Sequence, residues 1–232
     1  MSDEPTAMME APAAPEPSSG RARLKRRADD VLRGLWAAVF YSGRVSGKSV
    51  VLCSSDRREG ASTMAAGLAV AGSTPAGVAR VALVDMNLRA PAQHKLFRTD
   101  AKPGVFDAVI GGAAPESVAR RISPSLDVYP AGEVSGRALD VLRNERLPAF
   151  MRELERSYDH VLVDVAPANA SPDVQVLAGI CPDMVLVTRT DRTPREAVAQ
   201  ARKRIEVAGG KVVGLVLNLR RYPIPRFLYR RV

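Results

Sequence analysis

The sequence predicts an α/β domain, a doubly wound and mainly parallel sheet flanked by helices. Three observations predict it. The runs SVVLCSS, RVALVDM, SLDVYPAG, HVLVDVA, DMVLVTRT and KVVGLVLN are dominated by Val and Leu without polar alternation, which is the pattern of strands covered on both faces. Helix-like segments separate these runs, and strands alternating with helices make a parallel sheet. A length of 232 residues, 46% hydrophobic but only 5% aromatic, suits one domain with an aliphatic core.

The elements follow in order. Residues 1–28 are expected to be a disordered arm: the first twenty or so are rich in Pro, Ala, Glu and Ser with no apolar period, and such a stretch cannot bury enough surface to offset its ordering entropy. The basic run RARLKRR has no interleaved aromatics and is read as a solvated lead into the first helix rather than a nucleic-acid site. Across residues 29–41, Val31, Leu32, Leu35, Trp36, Val39 and Phe40 recur at helical spacing and predict a short amphipathic helix. The folded domain is expected to span residues 29–218. Within it, RALDVLRNERLPAFMRELERSY predicts a helix broken or bent near Pro148. DRTPREAVAQARKRIEVAGG predicts another, with Thr193 as N-cap, Pro194 at the first helical position, Glu196 completing a capping box and Gly209 or Gly210 ending it. Residues 219–232 form a basic tail, RRYPIPRFLYRR at its centre.

Composition excludes several classes. The apolar runs fall well short of the roughly 20 residues that span a membrane, and MSDEPTAMMEAP lacks the basic and apolar blocks of a signal peptide, so a cytoplasmic location is expected. Cys53 and Cys181 share no metal-type spacing and read as free thiols. His94 has no second histidine or cysteine in its segment, and His160 starts a strand with no evident partner; both read as structural. The formal charge of +9 invites anionic partners, yet the arginines are scattered apart from the two ends. No specific nucleic acid is expected. In the tail, Phe227, Leu228 and Tyr229 among arginines allow peripheral contact with anionic lipid. Pro223 and Pro225 prevent a long amphipathic helix there, which favours packing on the domain itself or on a partner subunit.

One stretch carries chemistry. SVVLCSS followed by DRREGASTMAAG has the strand, loop and helix of a phosphate loop, in which backbone N–H groups and a helix N-terminus converge on phosphates. Against G-x-x-x-x-G-K-S/T, Ser55 replaces the opening glycine, Gly60 matches the closing one, Ala61 replaces the lysine, and Ser62 and Thr63 supply the hydroxyls. The nearby SGKS of residues 46–49 precedes its strand instead of following it and reads as a turn. Asp85 ends VALVD and Asp164 ends HVLVD, so both carboxylates are expected at the sheet edge where the loop emerges, suited to holding Mg²⁺ or orienting an attacking hydroxyl.

REGAST, VDMNLRAPAQHKLF, GVFDAVIGG, LDVYPAG, YDHVLVDVAP and KVVGLVLN resemble, in order and spacing, the cytoplasmic domain of the bacterial tyrosine kinases of capsule and exopolysaccharide synthesis, over about Asp30 to Asn218. That family belongs to the P-loop superfamily of the chromosome-partitioning and septum-positioning ATPases. The resemblance implies ATP and Mg²⁺ as cofactors, with Glu59, Gly60, Ala61, Ser62, Thr63 and Asn218 at the nucleotide, Asn218 as a base contact, Ser62 and Asp164 at the metal, and Asp85 and Asp164 as the catalytic acidic residues. It also implies a membrane-embedded chain-length regulator as partner and assembly into rings of like subunits.

Departures from the family pattern bear on activity. Ala61 removes the phosphate lysine, Arg58 replaces a loop glycine, and Asn87 replaces the second motif's other aspartate. Asp30 and Arg33 match the ring-forming helix but Trp36 takes its last place, and the tyrosine cluster is reduced to Tyr222 and Tyr229. Losing one preorganised donor costs roughly a hundred- to a thousand-fold in rate. The expectation is a catalytically impaired protein with ATP and Mg²⁺ binding weakened or lost, acting as a partner of a chain-length regulator or kinase at the inner membrane face. The alternatives are an active tyrosine kinase or ATPase in which Arg57 or Arg58 replaces the lysine, and a membrane- or nucleoid-associated positioning ATPase.

Overall fold

The computed structural model describes residues 20–73 and 79–219. The basic tail beyond Leu219, with its lipid contact and Tyr222, Phe227, Leu228 and Tyr229, and the first nineteen residues of the arm lie outside the described residues.

The elements in chain order are α1 (Gly20–Phe40), β1 (Ser49–Ser54), α2 (Ala61–Gly72), β2 (Val81–Met86), α3 (Gln93–Phe97), α4 (Val105–Val109), α5 (Pro115–Val118), β3 (Arg120–Ser123), β4 (Leu126–Tyr129), α6 (Ala138–Leu142), α7 (Arg146–Ser157), β5 (His160–Val165), α8 (Asp173–Ala178), β6 (Asp183–Arg189), α9 (Arg195–Val207) and β7 (Lys211–Asn218). The seven strands form one sheet in the order β3-β4-β2-β5-β1-β6-β7, parallel except for the β3–β4 pair. As the sequence predicts, it is doubly wound. Val51 and Cys53 of β1 enter one apolar cluster with residues of α4, α7, α8 and α9, while Val50 and Leu52 enter the other with α1 and α2. Successive strand residues point to opposite faces, so both layers bury the same strand and no polar alternation is needed.

Three local expectations change. The first helix begins at Gly20, upstream of the apolar stripe that marked it. The helical stretch around Pro148 is split earlier, between Leu142 and Arg146, and Pro148 sits in the first turn of α7, where its missing N–H costs nothing. Thr193 does not cap α9: Pro194, in extended conformation, is the N-cap, and the Thr193 hydroxyl instead donates to Glu59 while accepting from the Arg189 N–H.

α1 lies on α2 by close approach. A Cβ on Gly67 would come within 3.0 Å of Leu32, and one on Gly72 within 2.4 Å of the Trp36 ring. Trp36 is buried, stacked near Phe40 and edge-on to His160 at 5.1 Å. His160 therefore does have partners, the rings of Trp36, Phe40 and Tyr41, and burial lowers its pKa. Cys53 and Cys181 are buried free thiols, pushed up to about 12 chiefly by burial.

Candidate functional site

The site forms at the carboxyl ends of β1, β2, β5, β6 and β7, where open parallel sheets bind ligands. β1 ends at Ser54, the chain loops through residues 55–60, and α2 starts at Ala61. Gly60 turns the corner at φ 89°, and a Cβ there would meet Asn218 Nδ2 at 2.5 Å, so only glycine fits. Asn218, at the end of β7, donates from Nδ2 to the Glu59 carbonyl at 2.9 Å, which ties its amide to the loop. Arg58 stands at φ 64°, the left-handed conformation that a glycine would adopt freely.

Glu59 is buried inside the loop. One carboxylate oxygen accepts the Asp56 N–H at 3.0 Å and the other accepts the Thr193 hydroxyl, which joins the loop to the segment after β6. A backbone donor of the loop is thus already answered by a carboxylate of the same loop. Ala61 is buried at the start of α2, Ser62 is half-buried, and Thr63 is exposed on the side facing α1 and α3.

The two acidic residues are brought together as expected. β2 and β5 are neighbours, and their register pairs Asp85 directly with Asp164, both fully buried. Asp85 is occupied by backbone: Oδ1 accepts the Asn87 N–H at 3.2 Å, and Oδ2 accepts those of Ala92 and Gln93 at 2.9 Å each. Burial nevertheless raises its pKa to about 6. Asp164 Oδ2 accepts from Gln93 Nε2 at 2.7 Å, and the same amide donates to the Ser62 carbonyl at 3.1 Å. Asp164 Oδ1 is buried with no hydrogen-bond partner. Burial, then the neighbouring Asp85 charge, raises the Asp164 pKa to about 7, against the Ser62 hydroxyl and the Gln93 amide that lower it.

This donor set suits Mg²⁺ in company with phosphates rather than alone. The orphaned Asp164 Oδ1 and the Ser62 hydroxyl are hard oxygen ligands, and Mg²⁺ typically takes one or two carboxylates and completes its shell with water and phosphate oxygens. Among the described residues no group of three or more His, Cys, Asp or Glu side chains forms a metal cage.

Sequence reasoning missed three contributors. Gln93, the first residue of α3, bridges the Asp164 carboxylate to the first turn of α2, but a single glutamine carries no periodic signal. Arg89 makes a two-pronged pair with buried Asp173, Nε and Nη2 both reaching its carboxylate at 2.9 Å. The Glu59–Thr193 link joins residues far apart in sequence and is visible only once β1 and β6 are adjacent.

No protein-family profile matches the chain. It is 32% identical over 206 residues to EpsB of Ralstonia solanacearum, named a tyrosine-protein kinase, matching 86% of this chain but only 27% of that protein. It is 27% identical to CapB of Staphylococcus aureus, named likewise, over 84% of this chain and 85% of CapB. The kinase domain of the Escherichia coli tyrosine kinase ETK superposes with a TM-score of 0.79 at 20% identity, covering 93% of this chain and 86% of that one. A plasmid partition protein from Borrelia burgdorferi shares the fold more distantly, with a TM-score of 0.60 at 14% identity over 80% and 85% of the two chains. In sequence the chain is similar to bacterial tyrosine kinases, and it shares its fold with the kinase domain of one of them and, more distantly, with the plasmid partition protein.

Proposed function

We propose that this chain is a catalytically impaired member of the family that works by binding, as a partner of a polysaccharide chain-length regulator or a kinase at the cytoplasmic face of the membrane, in capsule or exopolysaccharide synthesis. The observation that carries this is Ala61, buried where the phosphate lysine belongs. Arg57 and Arg58 line a cavity with Asn87 and Arg89 that includes neither Ser62 nor either buried aspartate, which speaks against an arginine standing in for the lysine. The other changes act in the same direction. Asp85 has both oxygens committed to backbone, Asn87 brings no charge, and the Glu59 carboxylate repels phosphate from within the loop.

The Gly60, Ser62 and Thr63 end of α2 would hold phosphates, with Ser62 and Asp164 on Mg²⁺. Bound Mg²⁺-ATP supplies a transferable phosphoryl group with its charge partly neutralised. Asp85 holds the 87–93 segment, and through Gln93 it orients Asp164. Asn218 and Glu59 shape the loop, and the protein keeps weak nucleotide binding at most. None of the described helices is long and apolar enough to cross a membrane.

Titration with a fluorescent ATP analogue, with and without Mg²⁺, tests this beside an Ala61→Lys variant. Weak binding that Ala61→Lys tightens by about tenfold or more is expected, since a charge-assisted phosphate contact is among the stronger hydrogen bonds. Robust Mg²⁺-dependent ATP hydrolysis that disappears in Asp85→Ala would overturn the reading.

A further inference from the structure

The two edges of the sheet are finished differently. β3 closes one of them with the four residues RRIS, which bring two arginines and a register irregularity between Arg121 and Ser123. A short, charged and bulged strand is how natural sheets keep another strand from adding to them. β7 closes the other edge with eight residues, KVVGLVLN, whose single charge, Lys211, stands at the amino end next to that strand's own register irregularity. From Gly214 to Asn218 it pairs regularly with β6, and among the described residues no strand pairs with its outer side. Alternate N–H and C=O groups of such a strand point away from the sheet and offer a template for one more.

Apolar side chains mark the same edge. Leu215 is 51% exposed and Leu217 65%, and residues two apart share a face of a strand. A long edge strand with exposed leucines invites aggregation unless something covers it. The chain that follows is suited to the task. Leu219 takes φ 54° and ends the extended run, and residues 220–232 come next. Pro223 and Pro225 lack the N–H that a strand donates, so residues 220–225 suit a connection, with a reach of up to about 20 Å. Residues 226–232, RFLYRRV, carry the strand-favouring Phe227, Tyr229 and Val232, and extended they measure roughly 24 Å against about 27 Å for β7. Phe227 and Tyr229 stand two apart, the spacing of Leu215 and Leu217, and facing side chains of adjacent strands lie within reach of aromatic rings. Arg226, Arg230 and Arg231 would blunt the new edge as Arg120 and Arg121 blunt β3.

We propose that the outer edge of β7 is the docking surface for the chain's own residues 226–232, which add an eighth, antiparallel strand to the seven. Phe227 and Tyr229 then cover Leu215 and Leu217 instead of meeting lipid. Because Asn218 at the end of β7 donates to the Glu59 carbonyl, the docked strand also steadies the corner of the phosphate loop. This docking does not depend on whether the site turns over ATP.

Hydrogen exchange on the full chain tests it, beside Leu217→Lys and the double variant Phe227→Asp/Tyr229→Asp. The β7 amides that point away from β6 are expected to exchange at least tenfold more slowly in the parent than in the double variant. Leu217→Lys is expected to speed exchange in residues 226–232 by a similar factor. Leu217 is already largely exposed to solvent among the described residues, so a lysine there leaves the rest of the fold intact. Leu217→Lys alone is expected to lower the thermal midpoint by about 2–4 °C, and to lower it no further once Phe227 and Tyr229 are replaced. Additive losses, or β7 exchange indifferent to the double variant, would overturn the proposal. Protection that fades on dilution together with a doubled mass would give the edge to a second copy and refute it too. So would a segment 226–232 that gains protection only when phosphatidylserine vesicles are added, since its aromatic residues would then belong to the membrane.

Discussion

The α1–α2 face and the carboxyl edge of the sheet share one aliphatic scaffold and treat their polar groups in opposite ways. On the first, Trp36 and Leu32 press against glycines of α2, and the neighbouring rings of Phe40 and His160 complete the packing. At the second, Asp164 Oδ1, Gln93 Oε1, Ser55 Oγ, Ser171 Oγ and Thr190 Oγ1 are buried without partners, and Arg58, Asp191 and Leu219 adopt positive φ. Orphaned polar atoms cost roughly 1–3 kcal/mol each, and they persist where the surrounding fold is strong enough to carry them. The difference teaches where this chain spends its strain: the face that packs α1 on α2 is relaxed, and the carboxyl edge of the sheet is not.

Substitutions sharpen or break this contrast. The largest effect is expected from Trp36→Ala, which opens a cavity under α1 and should cost about 3–5 kcal/mol, read as a fall of roughly 10 °C in thermal midpoint. A loss below about 1 kcal/mol would show that α1 contributes little to the fold. Gly60→Ala is next, at about 1–3 kcal/mol, because the new methyl must displace Asn218 and hold φ 89°. Denaturant titration measures it, and a neutral outcome would mean that the loop is not fixed at that corner.

Asp164→Asn acts in the opposite direction. Folding raises this carboxyl from its ordinary 3.8 to about 7, so the folded chain keeps a proton that the unfolded chain releases. The carboxyl's contribution to stability is therefore fully present below about pH 4 and is lost as pH rises through about 7. The asparagine variant is expected to gain a few degrees at pH 8 and to show a flatter pH profile across that window; a thermal midpoint lower than the parent's at pH 8 would contradict the buried, uncompensated charge. Arg58→Gly is the smallest, a gain of about 0.5–1 kcal/mol by chemical denaturation, unless its side chain makes a contact that offsets the strain.

Much of this was legible in the sequence. The aliphatic runs gave away the buried parallel strands, and Asp85 and Asp164, each closing such a run, meet in register as their positions implied. β3 escaped notice because RRIS is polar, short and at the sheet's edge, where nothing demands an apolar pattern. Thr193 misled for a different reason. Ser or Thr before Pro-x-Glu is a local capping pattern, but the Thr193 hydroxyl accepts the Arg189 N–H in place of one from the helix and donates to Glu59 of a distant loop. Gln93, Arg89 and Asp173 act through partners on other elements, so no spacing in the chain could have announced them.

Asn218 has a mechanical meaning beyond its place in the site. Its Nδ2 grips the Glu59 carbonyl, its Oδ1 accepts the Leu219 N–H, its carbonyl accepts the Thr190 N–H, and its amide lies against Gly60. The last residue of the last strand is thus bolted to the corner of the phosphate loop. Tension applied to the chain beyond Leu219 would reach the segment after β6 through the Asn218 carbonyl and the corner of the loop through its side chain, so a pull at the end of β7 is felt at Glu59.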